Sequence, residues 1–283
     1  MARTRKVILD NLAFGEGPRW HKDRLFFADM YNNKVFTLDM KGKVEFIVEV
    51  PNRPSGMGWD LKGRLLIISM LDRKLMRFEN GKLSVLADLS KYAPADTNDM
   101  VVDGRGHAYI GNLGYQVHHG ETPKPADVIM VDTNTGAVRV VAGGFMIPNG
   151  TVVTPDNKTL IIAESIGHKL WKFDITADGS LTNKKLFADF KDGIPDGIAL
   201  DAEGAVWTAV PTWNEYCRVF EGTRIVERIK IEGRSPIAVA LGGPDRKTMY
   251  MCTSMSIDGK QGPGHTKGWL ESTQVDVPGA GWP

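Results

Sequence analysis

Pro195-Asp196-Gly197-Ile198-Ala199-Leu200-Asp201-Ala202-Glu203-Gly204, followed at once by the strand-like run Val206-Trp207-Thr208, decides the fold because it is one copy of a repeat. Each copy has a small polar turn, an apolar stretch, Asp-x-x-Gly or a variant, and then a second apolar run. Going toward the N-terminus, the turn recurs as Pro148-Asn149-Gly150-Thr151-Val152-Val153, Thr97-Asn98-Asp99-Met100-Val101-Val102-Asp103, Pro54-Ser55-Gly56-Met57-Gly58-Trp59-Asp60 and Gly15-Glu16-Gly17-Pro18-Arg19-Trp20. Toward the C-terminus it recurs as Ser235-Pro236-Ile237-Ala238-Val239-Ala240. Aligned on residues 16, 55, 98, 149, 196 and 236, the copies are spaced 39, 43, 51, 47 and 40 residues apart. A period near 40 belongs to propeller blades.

The second runs are Leu25-Phe26-Phe27, Leu65-Leu66-Ile67-Ile68, Ala108-Tyr109-Ile110, Leu160-Ile161-Ile162, Val206-Trp207-Thr208 and Met249-Tyr250-Met251. Their aliphatic and aromatic residues, bounded by turn formers, are those of buried strands. Third strands such as Lys169-Leu170-Trp171-Lys172-Phe173-Asp174 follow, and turns such as Asn134-Thr135-Gly136 lead to a fourth. No stretch keeps a helical period. The expected fold is therefore all-β, a six-bladed β-propeller with four-stranded blades around a central channel. Length alone suggests about two domains, whereas the repeat register makes residues 1–283 one. Val7-Ile8-Leu9 and the stretch near Val275-Asp276-Val277 are expected to close the ring.

Composition narrows the function. Lys plus Arg number 35 against 34 Asp plus Glu, a net charge of +1, so no field attracts nucleic acid or an acidic membrane. Apolar runs are far shorter than the ~20 residues that span a bilayer. The basic start Met1-Ala2-Arg3-Thr4-Arg5-Lys6 is followed by Asp10 and Asn11 rather than an apolar core, which reads against an export signal. Cys217 and Cys252 lack metal spacing and read as thiols of a reducing cytoplasm.

Equivalence of the repeats places Glu16, Ser55, Asn98, Asn149, Asp196 and Pro236 in one ring at the channel mouth. Two carboxylates, two carboxamides and a hydroxyl in one concavity need a partner, and a cation is the natural one. All donors are oxygens, so a hard ion such as Ca²⁺, Mg²⁺ or Mn²⁺ fits better than a Cys/His zinc site. At the ends of the next strands, Asp29, Ser69, Asn112, Glu164, Val210 and Thr253 form a second ring that either hydrogen-bonds to the first or buttresses the strands.

At these residues the sequence resembles the SMP-30/gluconolactonase/luciferin-regenerating-enzyme family of six-bladed propellers. The resemblance is carried by Gly15 to Trp20, Asn98 to Gly104, Pro148-Asn149-Gly150, Pro195 to Ile198 with Asp201 to Gly204, and Val277-Pro278-Gly279-Ala280-Gly281. It implies one divalent metal held by Glu16, Asn149 and Asp196, with Asn98 reaching the substrate or a metal-bound water. Ca²⁺ is the first carry-over, with Zn²⁺, Mn²⁺ or Fe²⁺ as alternatives. It also implies a lactonase, a phosphotriesterase at the same metal being the alternative within the family. A non-catalytic propeller that binds a ligand or protein is the alternative from another class. One departure is that sugar-lactone enzymes of the family tend to carry Arg two residues before the substrate-contacting Asn, where this chain has Asp96.

The expected chemistry is metal-dependent opening of a lactone, the metal stabilising the oxyanion as a Lewis acid. Asp196 is expected to act as general base, with a covalent role for it left open. The insertion from Gly114 to Pro125 reads as a lid. Tyr115 and Trp213 are expected to bind substrate, and with Met57, Phe145, Met146 and Tyr216 to favour a compact or aromatic lactone over a sugar acid lactone. His118 and His119 read as solvated surface.

Overall fold

Six four-stranded antiparallel sheets follow one another around a ring in the computed structural model, which describes residues 3–255 and 267–281. Five blades are consecutive meanders, beginning at Gly15, Pro54, Thr97, Pro148 and Ile198. The sixth contains Ser235–Gly242, Thr248–Ser254 and Gly268–Gln274, and the N-terminal strand Lys6–Leu12 pairs with Gly268–Gln274 as its outermost member. Val7-Ile8-Leu9 thus closes the ring, as expected. Its C-terminal partner is Gly268–Gln274 instead of the Val275 to Val277 stretch, which follows that strand. Three one-turn 3₁₀ helices are the only helices among the described residues.

The packing explains why the strands read as almost wholly apolar. Both faces of each sheet meet a neighbouring blade, so both side-chain parities are buried. Innermost strands Thr97–Val102 and Pro148–Val153 are buried at every residue except the second, Asn98 or Asn149. In Gly15–His21 the second residue, Glu16, is again partly accessible. In five of the six blades, pairing between the first and second strands slips just after this position. That bulge turns the second side chain out of the sheet face and toward the channel.

Glycines let the blades converge there. A Cβ on Gly17, whose φ is +53°, would stand 2.3 Å from the Ser55 carbonyl oxygen, and one on Gly150 would stand 2.4 Å from that of Asp196. Only glycine permits such approach. The fifth blade differs. Its innermost strand is just Ile198–Leu200, and the Gly197 N–H donates to Ile237 of the sixth blade at 2.9 Å. Asp196 precedes that strand, and its N–H donates to the Ala209 carbonyl of the same blade at 2.9 Å.

A candidate metal and substrate site at the channel mouth

Glu16, Asn98, Asn149 and Asp196 are the ring residues that remain partly accessible, while Ser55 and Pro236 are buried. The Ser55 hydroxyl donates to the Asn98 carbonyl at 2.8 Å, a contact that joins two blades. The register therefore brings the expected oxygen donors to one mouth, with two of its six positions serving packing.

Asp99 was missed by sequence reasoning. The residue after the ring position is glycine in four blades, Gly17, Gly56, Gly150 and Gly197, but aspartate in the third. That break in the pattern was the available signal. Asp99 is buried and accepts from Arg19 Nη2 at 2.7 Å and from the Met100 N–H at 2.8 Å. Arg19, equally buried, also donates to the carbonyls of Met100 and Pro18 at 2.7 and 2.9 Å. Three carboxylates, Glu16, Asp99 and Asp196, thus interact across the mouth with one guanidinium among them.

The electrostatic consequence is strong. Burial, and then the charge of Asp99, push the Glu16 carboxyl up to about 7, against the opposing Gly17 N–H and Arg19. Burial raises Asp196 well above the usual carboxylate range, and the charges of Glu16 and Asp99 add to it. Without a further cation Glu16 takes up a proton near neutrality. An excess of two negative charges fits a divalent ion.

The donor set fits too. Asn149 Nδ2 donates to Ser165 Oγ at 3.2 Å, and the same side chain supports the Asp196 carboxylate. With Nδ2 engaged by Ser165, Oδ1 is left for a cation. Ser165 Oγ in turn donates to the Pro195 carbonyl at 2.8 Å, tying the Asn149 strand to the segment carrying Asp196. Among the described residues no three His, Cys, Asp or Glu side chains form a metal cluster by themselves, so a cation here depends on the carboxamide.

The second ring buttresses the strands. Asp29 Oδ1 accepts from the Ala13 and Phe14 N–H groups, both at 2.9 Å, and Glu164 accepts from the Met146 N–H at 2.7 Å and Trp171 Nε1 at 2.6 Å. Asn112 bridges the Asp127 carbonyl and the Gly114 N–H. Asp29 and Glu164 thereby fix the segments that lead into Glu16 and Asn149.

The expected apolar wall needs correction. Met57, Phe145 and Tyr216 have no accessible surface and belong to clusters between blades, and the Tyr216 hydroxyl donates to the Cys252 carbonyl at 2.6 Å. Tyr115 is 7% exposed at the base of its loop, which folds on itself through Glu121, an acceptor from the Gln116 N–H at 2.7 Å. Met146 and Trp213 are half-buried. Trp213 stacks obliquely on Phe190 with centroids 5.7 Å apart, and its Nε1 donates to Asp192 at 3.2 Å, bracing the segment that leads to Asp196.

Residues 14–255 match the sequence profile described as the SMP-30/Gluconolactonase/LRE-like region. The chain belongs to this family. Among its relatives are the pentonolactonase XacC of Haloferax volcanii, 25% identical over 88% of this chain and 84% of that one. The 6-deoxy-6-sulfogluconolactonase of Pseudomonas putida is 24% identical, covering 98% and 96%. Regucalcin of Xenopus laevis is 25% identical over 96% and 95%. Two solved structures share the fold. A luciferin-regenerating enzyme superposes with a TM-score of 0.84 at 19% identity, covering 98% of this chain and 97% of that one. A calcium-binding regucalcin from Agrobacterium tumefaciens gives 0.77 at 21%, with the same coverage. No helix among the described residues is long and apolar enough to cross a membrane.

Proposed function

We propose that the protein is a metal-dependent lactone hydrolase whose divalent cation, Ca²⁺ in the first instance, is held by Glu16, Asn149 and Asp196. The observation that carries this reading is the trio of interacting carboxylates with one guanidinium among them at an accessible channel mouth. The names of the relatives, two lactonases and a regucalcin, point the same way.

When bound, the cation supplies charge stabilisation for the oxyanion that forms as the ester carbonyl is attacked. Asp196 takes the proton of the attacking water, a role suited to a desolvated carboxylate whose proton affinity is raised. Glu16 serves as a ligand. Asn98, partly accessible and next to Asp99, orients the substrate through its carboxamide. Arg19 and Asp99 hold each other in place beneath the donors, so that Asp99 adds negative potential without leaving its strand. Trp213 and Tyr115 are proposed as rim contacts of the substrate.

The preference for a compact or aromatic lactone loses three of its six supports, since Met57, Phe145 and Tyr216 are core residues. The relatives named for sugar-derived lactones favour a small lactone with polar substituents. Buried, unpaired Cys217 and Cys252 suit a cytoplasmic setting. The test is acid release from aliphatic, aromatic and sugar lactones and one phosphotriester, with and without chelator. Chelator-sensitive turnover of a lactone is expected. Turnover of the phosphotriester alone would replace the substrate class, and turnover of none would leave a binding propeller.

A further inference from the structure

Two residues before each ring position lies a third set, Phe14, Arg53, Asp96, Ile147, Ile194 and Arg234. The backbone treats the first four alike. Their carbonyls accept from the N–H groups of Met30, Met70, Leu113 and Ser165 at 2.8, 2.9, 2.9 and 3.0 Å, which locks each to the loop after its blade's second strand. They therefore stand at equivalent heights on the mouth face.

Their chemistry is not equivalent. Phe14 and Ile147 are buried, Ile194 is half-buried, and Arg234 donates to Glu271 at 2.6 Å with its guanidinium over Trp269. Arg53 is half-buried, and no carboxylate pairs with it among the described residues. Its guanidinium sits 5.0 Å from the centroid of Tyr31, which packs edge-on against Phe14. Holding a cation over an aromatic ring restricts it and leaves its N–H edge able to donate. Arg53 also has φ of +65°, an uncommon conformation for a long side chain, maintained by the bond from Met70.

We propose that Arg53 is a specificity residue of the lactone site, receiving a carboxylate borne on the substrate's ring. This deepens the lactonase reading and rests on it. A mouth already rich in carboxylates repels an anionic substrate, and a fixed guanidinium on the second blade offsets that repulsion at one place only. A bidentate pair of this kind adds orientation as well as attraction.

The test compares γ-butyrolactone with 5-oxotetrahydrofuran-2-carboxylate, which differ by the carboxylate alone. The native enzyme is expected to favour the carboxylated lactone in kcat/KM by about tenfold or more. Arg53→Gln should abolish that preference through KM while leaving γ-butyrolactone unchanged, and Arg53→Lys should keep part of it. Equal loss on both lactones, or no loss on either, overturns the proposal. Calcium titration calorimetry and ligand-observed NMR with tetrahydrofuran-2-carboxylate, which has no ester to cleave, provide an independent readout. Tighter binding to the native protein than to Arg53→Gln supports Arg53 even if neither lactone is turned over, a result that would sink the hydrolase reading alone. Equal binding to both proteins refutes the role of Arg53.

Discussion

The two ends of the channel bury the same residue type to opposite effect. At the end away from the mouth, Asp60, Asp103 and Asp201 follow three innermost strands and are 5%, 1% and 1% exposed. Each accepts the N–H groups two and four residues ahead, at 2.9 to 3.0 Å. Each also meets a cationic partner. Arg64 Nε lies 2.7 Å from Asp60, Arg105 Nε 3.5 Å from Asp103, and Arg218 Nε 2.6 Å from Asp201. At the mouth, Glu16 and Asp196 have far less compensation and are raised in pKa. A satisfied buried carboxylate closes a turn; an unsatisfied one leaves a demand that a ligand can meet.

The contrast can be broken or sharpened by substitution. At the mouth, Asp196→Asn should lower kcat/KM for any lactone turned over by on the order of a thousandfold, as expected for loss of a general base. The melting temperature of the metal-free variant should hold or rise, because a strained charge has gone. A collapse in melting temperature would make Asp196 structural. At the far end Asp201→Asn should do the reverse. It leaves Arg218 with only the exposed Glu203 as a partner, costing on the order of 3 kcal/mol in denaturant unfolding, while calcium affinity stays native.

Acidity gives a smaller effect with a definite sign. Glu16 has a folded pKa near 7, above the ordinary carboxylate value, so its burial is tolerated when protonated and becomes destabilising as pH rises through 7. The metal-free protein should therefore lose melting temperature between pH 5.5 and 8 by about 1 kcal/mol equivalent or more, and saturating calcium should flatten that slope. An identical slope with and without the ion would separate the carboxylates from the cation. Smallest of all, Asp99→Asn removes one charge that raises both neighbours. Calcium binding should then persist to a pH lower by a few tenths of a unit, and a midpoint shifted upward would contradict the arrangement described.

The blades and the ring of Glu16, Asn98, Asn149 and Asp196 were legible because glycine and aspartate mark places where backbones converge or turns close, and those demands recur once per blade. Asp99 was hidden by looking like the second residue of an ordinary strand, although it occupies a position where its counterparts are mostly glycine. Met57, Phe145 and Tyr216 misled for a physical reason. Met57 lies just past its blade's bulge, and Phe145 and Tyr216 lie on fourth and third strands; in all three places the side chain is packed inside the clusters of the blades rather than facing the channel. The closing strand shows a similar limit, since Val275 to Val277 is apolar enough to pair, and only the hairpin register with Thr248–Ser254 places the strand at Gly268–Gln274. Arg53 was silent because its meaning depends on Tyr31 and on a backbone bond from Met70.

The central claim is that the carboxylate ring at the mouth holds one divalent cation. Calorimetric titration of calcium into the metal-free protein, beside Glu16→Gln and Asp196→Asn, tests it most directly. One ion per chain, bound by the native protein with proton release near pH 7 and lost in both variants, is the predicted result. Absence of binding to the native chain, or binding undiminished in both variants, would contradict it.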